Sequence, residues 1–239
     1  MSRKMNTEKL RSIRETIEPV AFSIPEPELC ARYEKLYTGA VNDVLRELCL
    51  TNVALPPQIM PLTLDMVVCG PAFTIRSNMD PTLTGELEDR VKMLDQIRPG
   101  HVCVWNANGD DGASHWGEVM TAASRKRGCR GAIVDGGIRD TRGILQQEFP
   151  IWCRYRTSNG SLSRAKMTGF QVPIMVGNVL IKPGDIIMAD IDGAICIPRK
   201  LAEAVLLRAE EIEHNEGEIK KWVNAGLSAE EIHGRGGYF

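Results

Sequence analysis

The sequence predicts a mixed α/β chain in which a βαβ half and a β-rich half share one core. Two patterns carry that prediction. Between residues 98 and 155, short apolar runs of strand length alternate with helix-length segments, as βαβ units do. Between residues 172 and 198, short β runs are instead separated by Gly177-Asn178, Pro183-Gly184 and Asp192-Gly193, which are turn formers between antiparallel strands. Composition agrees, since 239 residues with 43% apolar and 25% charged side chains are ordinary for a compact globular chain.

In order, residues 1–25 are polar and charged and read as an N-terminal extension. Residues 26–226 read as a single domain, and 227–239 as a C-terminal tail ending in the glycine-rich GRGGYF. Helical patterning over 26–49 is interrupted near Thr38-Gly39, which predicts two short helices. Pro56-Pro57 and Pro61 mark an extended connection. Residues 66–76 are strand-like, and Gly70-Pro71 inside them predicts a bulge or an edge. An amphipathic helix over 84–97 ends at Pro99-Gly100, a strand follows at 101–105, and 106–116 reads as a loop rich in glycine and aspartate. Helix 117–127 closes on Gly128, a C-terminal cap, and Arg125, Lys126 and Arg127 complement the negative end of its dipole. Strand 131–135, helix 140–148 and strand 151–155 complete the alternation, and a long helix spans 199–224.

The chemistry concentrates in GAIVDGGIRD, Gly131–Asp140. The apolar run Ala132-Ile133-Val134 is a buried strand, Asp135-Gly136-Gly137 must turn, and Arg139-Asp140 then stands at the strand's exit, where α/β proteins bind ligands. A guanidinium beside a carboxylate suits a small anionic substrate, with Arg139 on a carboxylate or carbonyl oxygen and Asp140 on a divalent metal. The same pair also fits a surface ion pair at a helix start. Just upstream, the unpaired amides of Gly117, Glu118, Val119 and Met120 open a helix and form an anion site, which water alone also satisfies. Together the two elements make a two-point grip for a 2-oxo acid and its metal.

Other chemistries find no motif. A net charge of −2 gives no global drive toward nucleic acid or anionic membrane. No apolar run approaches a membrane span, and the basic start has no apolar core for a secretory signal, so the expected location is the cytoplasm. The seven cysteines are scattered without CxxC and read as buried thiols, and the four histidines lack zinc-ligand spacing. GxxxxGK[ST], a strand-linked GxGxxG and GxSxG are all absent. Lys126, Lys166, Lys182, Lys200, Lys220 and Lys221 all fall in polar contexts, against a Schiff-base lysine.

The ordered set TGAVNDVL from Thr38, GPAFTIR at Gly70–Arg76, RPGHVCVWN at Arg98–Asn106, WGEVMTAASRKRGCRGAIVDGGIRD at Trp116–Asp140, FPIW at Phe149–Trp152 and KPGDIIMADIDGAICIP at Lys182–Pro198 resembles the RraA-like family. That family includes divalent-metal-dependent 4-hydroxy-4-methyl-2-oxoglutarate aldolases that also decarboxylate oxaloacetate. The resemblance implies a layered β/β/α swivelling-type domain assembling as homotrimers or homohexamers, with sites near subunit boundaries. It implies a substrate carboxylate on the amides of Gly117 to Met120, Arg139 on the substrate, and Mg2+ or Mn2+ on Asp140, largely through water. An acidic residue from a neighbouring subunit is implied near Glu216, while Asp135 stands close enough to support the site or shape its turn. The base for the 4-hydroxyl stays open among Asp110, Asp111, Asp190, Asp192 and Glu216, with a water on the metal as a further option.

Either carbon–carbon cleavage leaves the same pyruvate enolate, whose oxyanion a metal and a guanidinium stabilise. The family also contains regulators that bind and inhibit an RNA-degrading endonuclease through a surface. Here Arg154, Tyr155, Arg156, Arg164 and Lys166 form a basic, partly aromatic stretch that fits such a surface, a solvated strand edge, or an extension of the substrate pocket.

Overall fold

The computed structural model describes residues 8, 20–82 and 86–239. Most of the expected N-terminal extension, and the first residues of the helix expected from 84, lie outside the described residues. Two helices, α1 (Glu26–Tyr33) and α2 (Thr38–Glu47), lead into β1 (Met60–Pro61) and the long strand β2 (Val68–Met79). Then follow α3 (Glu86–Gln96), β3 (Val102–Asn106), β4 (Ser114–Trp116), α4 (Glu118–Lys126), β5 (Gly131–Ile138), α5 (Thr141–Gln146) and β6 (Ile151–Arg156). The β-rich half is β7 (Ala165–Phe170), β8 (Ile174–Val176), β9 (Val179–Ile181), β10 (Ile186–Asp190) and β11 (Gly193–Ile197), and α6 (Ala202–Asn224) and α7 (Ala229–Gly234) close the chain.

Strands β6, β5, β3 and β2 run parallel in that spatial order, and β10 and β11 continue the sheet antiparallel beyond β2. Beyond the β10 pairing, the same edge of β2 takes β7, with a register shift between Arg76 and Ser77. Gly70-Pro71 is therefore neither a bulge nor an edge. It sits in a central strand, and the ladder with β3 begins only at Ala72 opposite Val102, so the N–H that proline lacks falls outside that ladder.

Layering follows from the period of the strands. In β10, Ile186 and Met188 face the helical cluster of Leu29, Tyr33, Val41, Leu45, Val205 and Leu206. Their neighbours Ile187 and Ala189 face the opposite cluster, with Val104, Ile133, Trp152 and the β8–β9 hairpin. The partner strand repeats the alternation, with Ile195 and Ile197 outward and Ala194 and Cys196 inward. Both faces are covered, so these strands read as unbroken apolar runs. A third cluster fills the space under α3, α4 and α5, where Phe73, Met93, Ile97, Trp105, Trp116, Ile144 and Phe149 are buried. The result is the expected layered β/β/α arrangement.

Three elements were not anticipated from sequence: β7, the short strand β4 inside the expected loop, and α7 inside the expected C-terminal tail. The turn expected at Asp135-Gly136-Gly137 does not form, because Asp135 and Gly137 pair with neighbouring strands and β5 runs on, buried, to Ile138. At the chain's end, α7 has a Ser228–Glu231 capping box, and the amide of Gly237 bonds back to the Ile232 carbonyl at 2.9 Å.

Asp190 illustrates how the halves are tied. Its carboxylate accepts from the amide and hydroxyl of Thr38 at 2.7 and 2.9 Å, and from the amide of Asp192 at 2.9 Å, while its carbonyl accepts from the Trp152 indole at 2.8 Å. It thus places a buried anion at the start of α2, whose dipole favours it. That structural duty removes Asp190 from the candidate bases. Replacing it (Asp190→Ala) is expected to cost about 1–3 kcal/mol of stability, since buried donors lose their acceptor; urea unfolding of the two proteins measures the difference.

Candidate active site

The site forms where β4 lies alongside the end of β5. Ser114 pairs with Gly137 and Trp116 with Ile138, and the amide of Arg139 donates to the Trp116 carbonyl at 3.0 Å. This pairing brings Gly117, the extended residue before α4, directly against Asp140. A side chain at Gly117 would put its Cβ 2.7 Å from Asp140 Oδ2, so only glycine fits beneath that carboxylate. At Gly160 a Cβ would stand 2.8 Å from Arg139 Nη1, the far end of a flexible side chain that can move aside.

Asp140 itself occupies the left-handed region at φ 56°, which a non-glycine residue adopts at a cost of about 1–2 kcal/mol. It precedes α5 yet makes no capping bond with its side chain, leaving the carboxylate aimed at the cavity, 3.5 Å from Arg139 Nε. The first amide of α4 to find an intrahelical acceptor is that of Thr121, bonded to the Gly117 carbonyl at 3.0 Å. The amides of Glu118, Val119 and Met120 therefore have no partner within the helix. Trp116, stacked on Phe149 with centroids 6.1 Å apart and donating to Thr121 Oγ1 at 2.8 Å, anchors the turn that aims them.

A cavity of about 350 Å³ is lined by Gly117, Val119, Met120, Arg139 and Asp140, together with Arg90 and Arg164. Five of the six residues expected in the grip therefore line one space. Glu118 does not line it, because its side chain packs over Gly143, where a Cβ would fall 2.2 Å from the Glu118 carboxyl carbon.

Arg90 was missed from sequence. It donates to Ser161 Oγ at 2.7 Å and to Met120 Sδ at 3.3 Å, and lies 5.3 Å from the Trp105 ring centre. A signal existed: half-buried Arg90 lies at helical spacing before buried Met93 on α3, in line with buried Ile97 just past the helix end. The cavity lining thus holds three guanidiniums and, among the described residues, one carboxylate.

Behind the cavity runs a second unanticipated feature. Trp105 Nε1 donates to Ser77 Oγ at 2.9 Å, Ser77 Oγ meets His115 Nδ1 at 3.0 Å, and His115 Nε2 meets Asp110 Oδ2 at 3.0 Å, all buried. An indole only donates and a carboxylate only accepts, so for a neutral ring the protons point from Trp105 toward Asp110. This chain ties the 106–116 loop to β2 and occupies Asp110 away from the cavity. Asp135 is buried against Arg154, and burial pushes its carboxyl up against the pull of that arginine. Glu216 lies on α6, where it accepts from the Tyr37 hydroxyl, and lines neither this cavity nor its neighbour.

Of the basic stretch read as a binding surface, a solvated strand edge or an extension of the pocket, three members are engaged inward. Arg154 holds Asp135, the Tyr155 hydroxyl donates to the carbonyls of Asp110 and Ala113 at 3.1 and 3.0 Å, and Arg164 lines the cavity.

A family model described as "RraA-like: Aldolase/RraA" matches residues 38–196. The chain belongs to the RraA-like family. Among its relatives, a Halalkalibacterium halodurans protein named "Putative 4-hydroxy-4-methyl-2-oxoglutarate aldolase" is 33% identical over 192 residues, covering 79% of this chain and 85% of that one. A crystal structure described as of novel cellulases from microbes associated with the gut ecosystem is 50% identical, with a TM-score of 0.87 over 90% of this chain and 96% of that one. Streptomyces coelicolor RraAS2, described as an unusual member of the RNase ES inhibitor RraA protein family, is 28% identical, with a TM-score of 0.75 over 84% of this RraA-like chain and 99% of its own.

Burial pushes the Tyr155 hydroxyl up to about 12 from 10. An acid whose folded pKa is raised stabilises the fold fully below its unfolded pKa and loses that contribution as pH climbs toward the folded one. Tyr155→Phe is expected to flatten the loss of stability between about pH 10 and 12. At neutral pH it should cost about 1 kcal/mol, as the loop carbonyls lose their donor. Urea midpoints measured across that range for both proteins are the check.

Proposed function

We propose that this chain is a divalent-metal-dependent carbon–carbon lyase. In this reading it cleaves 4-hydroxy-2-oxo acids of the 4-hydroxy-4-methyl-2-oxoglutarate type, decarboxylates oxaloacetate, or does both. It works in the cytoplasm as a homotrimer or homohexamer. The observation that carries the reading is the convergence of Arg139, Asp140 and the free amides of α4 on one cavity rich in guanidinium groups. The name of the Halalkalibacterium halodurans relative supports it.

The donor set fits a hard, hydrated ion. Asp140 is a half-exposed carboxylate held over a glycine, and no group of three or more His, Cys, Asp or Glu side chains among the described residues forms a closed cage. Mg2+ keeps several waters and binds through one or two carboxylates plus substrate, which is what Asp140 alone offers. When bound, such an ion supplies Lewis-acid polarisation of the 2-oxo group.

The chain's own residues then divide the work. The amides of Glu118, Val119 and Met120 receive the C1 carboxylate in the positive field at the helix start. Arg139 donates to the 2-oxo oxygen, which gains charge as the C3–C4 bond breaks and its electron pair moves into the pyruvate enolate. In the aldol reaction the 4-hydroxyl gives up its proton to a water in the open cavity, in the decarboxylation the C4 carboxylate leaves as carbon dioxide, and C3 then takes a proton from water. Arg90 and Arg164 add positive charge to the wall of this cavity. Val119, 80% exposed at the cavity mouth, is placed to be covered by a neighbouring subunit.

Glycoside hydrolysis receives less support, because it needs two carboxylates across the scissile bond and Asp140 is the one carboxylate among the described lining residues. An RNase-inhibitor role, as in the description of RraAS2, needs neither Asp140 nor a metal.

Pyruvate release from oxaloacetate and from 4-hydroxy-4-methyl-2-oxoglutarate is expected with magnesium and not with excess EDTA. Asp140→Ala and Arg139→Lys should each lower kcat/KM by roughly 10²–10³. Gly117→Ala should lower it comparably, because the new Cβ evicts the Asp140 carboxylate. Release that ignores EDTA, or an unimpaired Asp140→Ala, would sink the reading.

A further inference from the structure

A second cavity, of about 430 Å³, adjoins the first and shares Arg139 and Asp140 with it. Its other lining residues are Ile138, Thr141, Arg156, Thr157 and Ser158. The topology explains the grouping. Strands β5 and β6 are parallel neighbours in which Ile138 pairs with Arg156, and the Thr157 amide donates to the Ile138 carbonyl at 3.0 Å. Arg156, Thr157 and Ser158 therefore run beside Arg139 and Asp140 at the carboxyl ends of the strands, the edge where open α/β sheets bind ligands.

The lining has a definite chemical character. Arg156 is exposed and has no acidic partner among the described residues. Three hydroxyls surround it, and Ile138 is the single aliphatic member of the lining. Thr157 Oγ1 accepts from the Asn159 amide at 3.2 Å, so its own proton is left to donate. A methyl-branched or hydrocarbon tail would meet hydroxyls here and leave them unpaired, whereas a hydroxylated tail would satisfy them.

We propose that this second cavity holds the far end of the substrate, and that this end is a hydroxylated chain closed by a carboxylate, of the kind found in aldaric acids. Arg156 takes the terminal carboxylate, and Thr141, Thr157 and Ser158 take the chain hydroxyls. The assignment rests on the lyase reading above only in placing the 2-oxo-acid head in the first cavity. Arg156 is then a specificity residue rather than a catalytic one.

Binding of three stable probes to the full chain with magnesium, followed by calorimetry, separates the possibilities. Glucarate carries both the hydroxyls and the second carboxylate, adipate lacks the hydroxyls, and gluconate lacks the second carboxylate. Glucarate is expected to bind best. Arg156→Gln should weaken glucarate about tenfold while leaving gluconate unchanged, and Thr157→Val should narrow the preference for glucarate over adipate. An unchanged urea-unfolding midpoint reports that Arg156→Gln is folded. Equal affinity for the three probes, or a glucarate affinity indifferent to Arg156→Gln, overturns the assignment. Glucarate binding of the expected pattern without pyruvate release from either oxaloacetate or 4-hydroxy-4-methyl-2-oxoglutarate would instead overturn the lyase reading and leave this cavity's assignment standing.

Discussion

The site depends on a single backbone contact, the parallel pairing of β4 with the end of β5 that sets the Arg139 amide on the Trp116 carbonyl. A strand of three residues has little intrinsic stability, so it is held from outside. Trp116 is locked between Trp105 and Phe149, His115 is pinned between Ser77 and Asp110, and the Ser114 amide bonds to the Asn159 carbonyl at 2.9 Å. With β4 fixed, the start of α4 faces Asp140 at a distance that only glycine tolerates. The left-handed backbone at Asp140 is the local cost of that geometry, and strain of this kind persists where surrounding packing over-determines it.

Charge in the site is arranged by depth. Buried acids of this region are engaged locally: Asp135 by Arg154, Asp110 by the His115 ring and the Gly112 amide, Asp190 by the start of α2. What remains facing the two cavities is Asp140 and a set of guanidiniums contributed by α3, the end of β5, the end of β6 and the loop before β7. An anionic ligand therefore enters a positive field with one negative point in it.

The layered core makes this rigid. Strands β10 and β11 are apolar on both faces because one face meets α1, α2 and α6 and the other meets the inner β layer. The parallel strands have α3 to α5 on their remaining side. Arg156 ends β6, Arg139 directly follows β5 and Arg164 directly precedes β7, so these side chains sit at strand ends anchored in this doubly packed scaffold.

The sequence by itself determined the alternation of strands and helices, the hairpins at Gly177-Asn178 and Asp192-Gly193, the buried start of β5 at Ala132-Ile133-Val134, and the helix opening at Gly117. Each is written in local periodicity or in a turn residue, which neighbours in the chain decide. It also carried the ordered motifs that point to the RraA-like family. Tertiary structure decided the rest. The continuation of β5 through Asp135-Gly136-Gly137 came from its neighbouring strands. β4 and β7 are short or half-exposed strands without a clean period, visible only once their partners are in place. Pro71 is central rather than peripheral because its neighbouring ladder happens to start one residue later. Arg90 joins the cavity from a helix that the sequence placed but could not aim, and Glu118 turns away onto Gly143. Which acids face the cavity and which are spent on structure depends on contacts between residues far apart in the chain, as with Asp190 and Thr38, and no local pattern encodes those.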